Sequence, residues 1–272
     1  MQDSLSELGP RLTTRVFGRA FTHLGRTGST NDVAKEMATQ GAPEGTVIVA
    51  DEQTTGRGRM GRRWSAPPST CLLCSILFRP DLLPTQAQRL TMLCALAAAD
   101  AVDEVARLRV WLKWPNDLIV KCQEPSHKSQ GWKKLAGVLT ETGITGARLG
   151  YVVVGIGINV NVEPGRLPSL DPNATSILAE TEQPTDRAAL LASLLAGVEQ
   201  RYEALRAGTS PHEEWASRLA TVGQRVEATT AGKTLVGVAE TVDEDGALML
   251  RTADGTLHRL VVGDVTIHTD GS

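Results

Sequence analysis

The sequence lacks a basic bias. Its 28 Lys and Arg against 31 Asp and Glu leave a formal net charge of −3, with a pI near 6.0. That balance excludes a general nucleic-acid binder. Aromatic residues are scarce, at 4%, and they do not interleave with basic residues as a base-stacking surface requires. No apolar run approaches the length of a membrane span. No long apolar segment follows the first basic residues, so no secretory signal is read and a cytoplasmic location is expected. Cysteine is limited to Cys71, Cys74, Cys94 and Cys122. Cys71 and Cys74 form one CxxC without a second pair, inside an apolar run that reads as a strand. Residues three apart on a strand point to opposite faces, so this pair does not chelate one ion. His23, His127, His212, His258 and His268 are scattered without ligand spacing.

Two nucleotide signatures are also missing. Gly56 and Gly61 have P-loop spacing, but Arg62-Arg63 stands where Lys then Ser/Thr is needed, and Pro67-Pro68 follows instead of a helix. Gly155-x-Gly157 lacks the third glycine of a dinucleotide fingerprint and comes late in the chain.

What is present suits a globular protein of 272 residues, 41% of them hydrophobic, as one large domain plus a small one. Residues 1–20 read as a short polar lead. Helical spacing of Val33, Ala34, Met37 and Ala38 predicts a helix that starts at Ser29, with Ser29 and Asp32 as a capping box, and ends at Gly41. Strands are predicted over 46–50, 71–78, 110–113, 118–120, 135–141 and 151–157. Helices are predicted over 86–106, 175–180, 186–206 and 212–219. Neighbouring strands without a helix between each pair favour a mixed or antiparallel α+β sheet. Near Val222-Gly223 the composition shifts to short strands with Gly-containing turns. That pattern predicts a small β-barrel. The expected domains are therefore 1–221 and 222–272.

Five segments carry chemistry. Gly56-Arg57-Gly58-Arg59-Met60-Gly61-Arg62-Arg63-Trp64 alternates glycine and arginine between apolar runs. Fixed guanidinium forks and closely approachable backbone N–H groups suit an anion. Lys113-Trp114-Pro115-Asn116-Asp117 places a cation, an aromatic, an amide and a carboxylate at one strand end. Asp117 and Asn116 are read as facing a magnesium-bound phosphate. Lys134 opens the strand Leu135–Glu141 after a polar stretch, which puts its ammonium at a cleft edge. Gly155-Ile156-Gly157-Ile158-Asn159 has glycines inside a strand, which a flat apolar ligand against the backbone would explain. Ser29-Thr30-Asn31 sets three small polar side chains at a helix start.

Taken in order, these segments resemble biotin protein ligases: Gly28-Ser29-Thr30-Asn31, Gln53 to Arg62, Lys113 to Asp117, Lys134-Leu135-Ala136-Gly137 and Gly155 to Asn159. The resemblance implies a catalytic domain like that of class II aminoacyl-tRNA synthetases, with a C-terminal SH3-like barrel. It implies two steps. Biotin and Mg-ATP give biotinyl-5'-AMP and pyrophosphate, and biotin then passes to a lysine of a biotin carboxyl carrier protein. By resemblance, Arg57 and Arg59 lie over the carboxylate and phosphates, and Lys134 touches both. With Asp117 they form the catalytic set. Ser29, Thr30, Asn31 and Gln53, with Gly56, Gly58, Gly155 and Gly157, border biotin. Arg59, Arg62, Trp64, Lys113, Asn116, Asp117, Lys134 and Asn159 serve ATP, with Trp64 stacked on the adenine. Asp117, helped by Asn116, holds magnesium. Residues 57–63 are expected to be mobile without ligand and to close over it.

Only 28 residues precede Ser29, so the resemblance implies a ligase without the DNA-binding repressor domain. Family members pair sheet edges, which leaves a homodimer open. The polar insert 122–133 reads as a variable hairpin tip. A lipoate-type ligase and an RNA-binding protein using the Arg/Gly loop are the alternatives. A urea-matching pocket speaks against lipoate, whose dithiolane offers nothing to hydrogen-bond.

Overall fold

The computed structural model describes residues 5, 8–122, 131–230 and 232–267. The hairpin tip expected within 122–133, the turn residue Ala231 and the strand end His268 lie outside these.

A seven-stranded mixed sheet forms the larger part, ordered β1-β2-β3-β7-β6-β5-β4. In chain order the strands are β1 (Phe21–Thr27), β2 (Val47–Gln53), β3 (Cys71–Phe78), β4 (Trp111–Lys113), β5 (Asp117–Lys121), β6 (Trp132–Thr145) and β7 (Arg148–Asn159). The first two are parallel because a helix, α1 (Thr30–Thr39), crosses between them. The other pairs are antiparallel.

β3 is buried along its whole length, which explains why its sequence does not alternate. Leu72, Cys74, Ile76 and Phe78 enter the main core, where α2 (Gln88–Ala106) packs on the sheet. On the opposite face, Leu77 meets Ala34 and Ala38 of α1, and Cys71 and Leu73 join a third cluster. The two CxxC thiols therefore lie on opposite faces. Three more helices follow β7: α3 (Leu167–Leu170), α4 (Ile177–Thr181) and α5 (Arg187–Arg206). The last packs beside α2 in the main core. α6 (His212–Arg218) then leads to the C-terminal strands.

The N-terminal lead is more than polar. Leu5, Leu8 and Phe17 are buried, and the Phe17 ring sits 5.2 Å from Phe78 and 5.6 Å from Tyr202. One carboxylate on α5 ties this segment down. Glu199 accepts the backbone N–H of Arg15 at 2.6 Å, Val16 at 2.8 Å and Phe17 at 3.0 Å. β1 was not expected. It is a half-buried edge strand, so its apolar pattern is weak. The capping box is also corrected. Ser29 is the N-cap by backbone, but its side chain makes no cap bond, and the Asp32 carboxylate is taken by Arg57 and Lys35.

The C-terminal strands are β8 (Arg225–Thr230), β9 (Lys233–Val242), β10 (Leu248–Thr252), β11 (Leu257–Leu260) and β12 (Asp264–Ile267). They pair in the order β11-β10-β9-β8-β12. Among the described residues this is an open run, not a closed ring of hydrogen bonds. Its inner side chains, including Val226, Leu248 and Ile267, continue the main core. Trp114 is the joint. It is 1% exposed, its Nε1 donates to Gly246 O at 2.9 Å, and its backbone N–H meets Thr221.

Glu199→Ala should destabilise the protein by about 3 kcal/mol, because it strands buried backbone donors. Denaturant titration checks this, and a loss below about 0.5 kcal/mol would show that the lead needs no anchor.

Candidate active site

A cleft of about 440 Å³ opens on the α1 face of the sheet, within the size range of small-molecule sites. It is lined by the start of α1, the end of β2, the Gly/Arg loop, the β4–β5 turn, β6, β7 and the start of β12. Strand β2 runs on to Gln53 instead of ending at residue 50. That extension delivers Gln53 to the cleft.

One end is a polar pocket. Gln53 Oε1 accepts from the Thr30 backbone N–H at 2.8 Å and from its hydroxyl at 3.0 Å. The Gln53 side-chain N–H groups have no hydrogen-bond partner among the described residues, so they remain free donors. Ser75 Oγ lies 2.7 Å from Thr30 Oγ1 and 2.6 Å from Asn31 Oδ1. Asn31 Nδ2 donates to Glu141 Oε2 at 2.7 Å. The sequence reading missed Ser75 and Glu141. A lone hydroxyl in the apolar run 71–78, and a carboxylate on the Lys134 strand, were the available signals.

Above the cleft, the Gly/Arg segment is a short hairpin loop. Trp64 N–H bonds Gly56 O at 2.9 Å, and Gly58 N–H bonds Arg62 O at 2.7 Å. Met60 and Gly61 turn the tip with φ of 54° and 75°. Gly56 does not line the cleft. A Cβ there would sit 2.6 Å from Trp64 O, so its glycine is needed for the return of the chain and not for a ligand. Arg57 clasps Asp32 at 2.6 and 2.7 Å and reaches Glu141 at 3.2 Å. Arg59 donates to Asn116 Oδ1 and to Gly263 O, both at 3.3 Å. Arg62 pairs with Asp264, and Arg63 donates to Thr54 O. All four arginines border the cleft.

The glycines of β7 are explained differently from the expectation. A Cβ at Gly157 would lie 2.7 Å from the Trp64 ring, and one at Gly155 would lie 2.3 Å from Asn31 Oδ1. Here the bare backbone admits the protein's own side chains, and both glycines also line the cleft. The Trp64 Nε1 is buried without a hydrogen-bond partner among the described residues. Such an orphan donor costs stability unless a ligand meets it.

The floor is cationic. Lys134 Nζ sits 2.7 Å from Asp117 Oδ1 and 5.9 Å from the Trp64 ring centroid. Lys113 has no ion-pair partner among the described residues. Burial pushes its ammonium below the usual lysine range, and the Asp117 charge opposes that shift. Burial also lowers Arg59. Bringing an anion would relieve both. Asn116 is already committed, since its amide donates to Val138 O at 2.7 Å and accepts from Arg59. It positions the arginine. Asn159 is likewise buried, donating to Thr175 O at 2.9 Å and accepting from the Cys71 thiol at 3.5 Å. Burial lifts Cys71 to about 11 and Cys74 to about 12, which leaves both as protonated thiols. No cluster of three or more His, Cys, Asp or Glu able to hold a metal occurs among the described residues. Nor is any of their helices long and apolar enough to cross a membrane.

The Arg57 hydrogen bond holds the Asp32 carboxyl near 2, down from 3.8. A depressed carboxyl stabilises the fold above its unfolded pKa and loses that contribution as pH falls through the folded one. Stability should therefore decline from pH 3.8 towards about 2, and Asp32→Asn should flatten this limb in acid-unfolding curves. An unchanged limb would remove the Asp32–Arg57 pair from the stability of the loop.

Comparison with known proteins supplies the context. Residues 24–159 match the biotin/lipoate A/B protein ligase family, and residues 221–267 match the biotin protein ligase C terminal domain. The chain is 35% identical to the bifunctional ligase/repressor BirA of Bacillus subtilis, over 93% of this chain and 75% of that protein. It is 32% identical to the biotin–[acetyl-CoA-carboxylase] ligase of Mycobacterium tuberculosis, over 88% and 86%. A biotin protein ligase from Aquifex aeolicus, solved in complex with biotin and ATP, superposes with a TM-score of 0.72 at 25% identity. That match covers 92% of this chain and 99% of the other. The chain belongs to the biotin/lipoate A/B protein ligase family.

Proposed function

We infer that this chain is an ATP-dependent biotin protein ligase. The observation that carries the reading is one cleft with two unlike ends. One end holds the hydrogen-bonding groups of Ser29, Thr30, Asn31 and Gln53. The other gathers Lys113, Lys134, Arg59 and Arg62. A cyclic urea fits the first, and a carboxylate beside phosphates fits the second. A dithiolane would leave the polar end unmatched, which disfavours lipoate.

In the first step a biotin carboxylate oxygen attacks the α-phosphorus of ATP. The bond to the β-phosphate oxygen breaks and pyrophosphate leaves. Two anions must meet, so fixed positive charge is needed where charge develops. Lys134 bridges carboxylate and α-phosphate as a point charge. Lys113 and Arg59, partly stripped of water, attract the phosphates more strongly than exposed cations do. In the second step the neutral amine of a carrier lysine attacks the activated carbonyl, an amide forms and AMP leaves. The Gly/Arg loop shields the mixed anhydride from water.

A lone carboxylate suits a magnesium ion that takes its remaining ligands from phosphate oxygens and water. Asp117 would hold it there, and the ion would neutralise phosphate charge. Trp64, with its unmatched indole N–H, would meet the nucleotide along with Asn159. The carrier is proposed to be a biotin carboxyl carrier protein. The class II synthetase-like character of the large sheet, the SH3-like character of the C-terminal unit and the 1–221/222–272 division are parts of the same reading. So are a cytoplasmic location and a homodimer formed through sheet edges.

Pyrophosphate exchange into ATP should depend on biotin and not on lipoate; exchange driven by lipoate alone would overturn the reading. Lys134→Ala should slow adenylate formation by more than about tenfold, the scale of one lost charge-stabilising group. Wild-type rates would remove Lys134 from the chemistry. Asp117→Ala should weaken the magnesium dependence of the first step, and an unaltered Mg-ATP titration would exclude Asp117 as the ligand.

A further inference from the structure

Glu141 is drawn into the site by no resemblance, yet it touches two of its residues, Asn31 and Arg57, together with Lys35 of α1. Its Oε2 accepts from Asn31 Nδ2 at 2.7 Å and from Arg57 at 3.2 Å, and its Oε1 accepts from Lys35 at 2.7 Å. We propose that Glu141 is a positioning residue that fixes the Asn31 amide with its oxygen towards the cavity, and so selects a ring that carries N–H donors. The proposal rests on the biotin-ligase reading and deepens it.

The argument follows the protons. Asn31 Nδ2 faces two acceptors, the Glu141 carboxylate and Leu139 O. Turned over, the amide would aim its oxygen at both, and acceptor would face acceptor. The carboxylate therefore holds one orientation. In that orientation Asn31 Oδ1 lies 2.6 Å from Ser75 Oγ and shares the single hydroxyl proton of Ser75 with Thr30 Oγ1 at 2.7 Å. One lone pair remains. The oxygen lies over Gly155, where a Cβ would come within 2.3 Å, and Gly155 and Asn31 both border the cavity. An acceptor held there against flipping recognises a donor. A cyclic urea supplies two N–H groups, whereas a dithiolane supplies none. Asp32 shares Arg57 and Lys35 with Glu141, so the carboxylate stays ionised and in place.

The test is calorimetric binding of biotin to the full chain and to Glu141→Gln, Asn31→Ala and the double variant. A glutamine can face Asn31 with either end, so the orientation is no longer enforced. Glu141→Gln should raise the biotin Kd by about tenfold or more, the scale of a lost charged hydrogen bond. The KM for ATP should stay within about twofold. The double variant should lose no more than the worse single variant. Should Glu141→Gln fold poorly, the exchange Asn31→Asp with Glu141→Gln restores a carboxylate–amide bond in reverse. It should bind biotin more tightly than Asn31→Asp alone. Biotin affinity unchanged in Glu141→Gln, additive losses, or no recovery in the exchange would each overturn the proposal. If the wild-type chain itself binds no biotin, the functional reading fails and Glu141 loses its role with it. If wild type binds and Glu141→Gln matches it, only the role of Glu141 fails.

Discussion

Cationic side chains gathered around one cleft repel one another unless each meets a counter-charge, and this constraint organises the site. Lys134 is held by Asp117, Arg62 by Asp264, and Arg57 by Asp32 and Glu141. These carboxylates come from α1, β5, β6 and β12, far apart in sequence, and the fold of both sheets brings them together. Lys113 is left without such a partner among the described residues. Among those residues Arg59 meets an amide oxygen and a backbone carbonyl and no carboxylate. The cleft therefore carries a local positive surplus inside a chain whose net charge is −3. Partial burial makes that surplus count, since a cation in a lower dielectric attracts an anion more strongly.

The polar end obeys a different rule. Buried donors and acceptors must be matched, so each side chain fixes the next. Gln53 holds Thr30, Ser75 links Thr30 to Asn31, and Glu141 holds Asn31. Among the described residues, the Gln53 amide donors and the buried Trp64 N–H are left over at the cleft. A ligand that satisfied these groups would bind where the protein cannot satisfy itself.

Much of this was legible in the sequence. The long apolar helix 86–106 and the strand 71–78 follow from composition and periodicity alone, and the structure has them over 88–106 and 71–78. The ordered motifs gave the family. What escaped was set by tertiary contact. β1 lies at the edge of the sheet, where half-burial blurs alternation. The lead is anchored by a carboxylate on α5, which no local pattern announces. Ser75 and Glu141 read as ordinary strand residues until the fold brings Asn31 between them. The glycines of β7 were correctly read as making room, but the occupants are Trp64 and Asn31. The open pairing of the C-terminal strands depends on long-range register that turn signals do not encode.

The anchorage of the loop on Gly263 and Asp264 sets a limit on its opening. Asp264 opens β12 and Gly263 precedes it, and among the described residues β12 pairs only with β8 and forms an edge of the C-terminal sheet. Edge strands open locally at a small fraction of the global unfolding free energy. When the first residues of β12 fray, Arg62 loses Asp264 and Arg59 loses Gly263 O, while Asn116 still holds Arg59 and Asp32 and Glu141 still hold Arg57. Fraying there thus loosens the second half of the loop and leaves its start tied to α1 and β6.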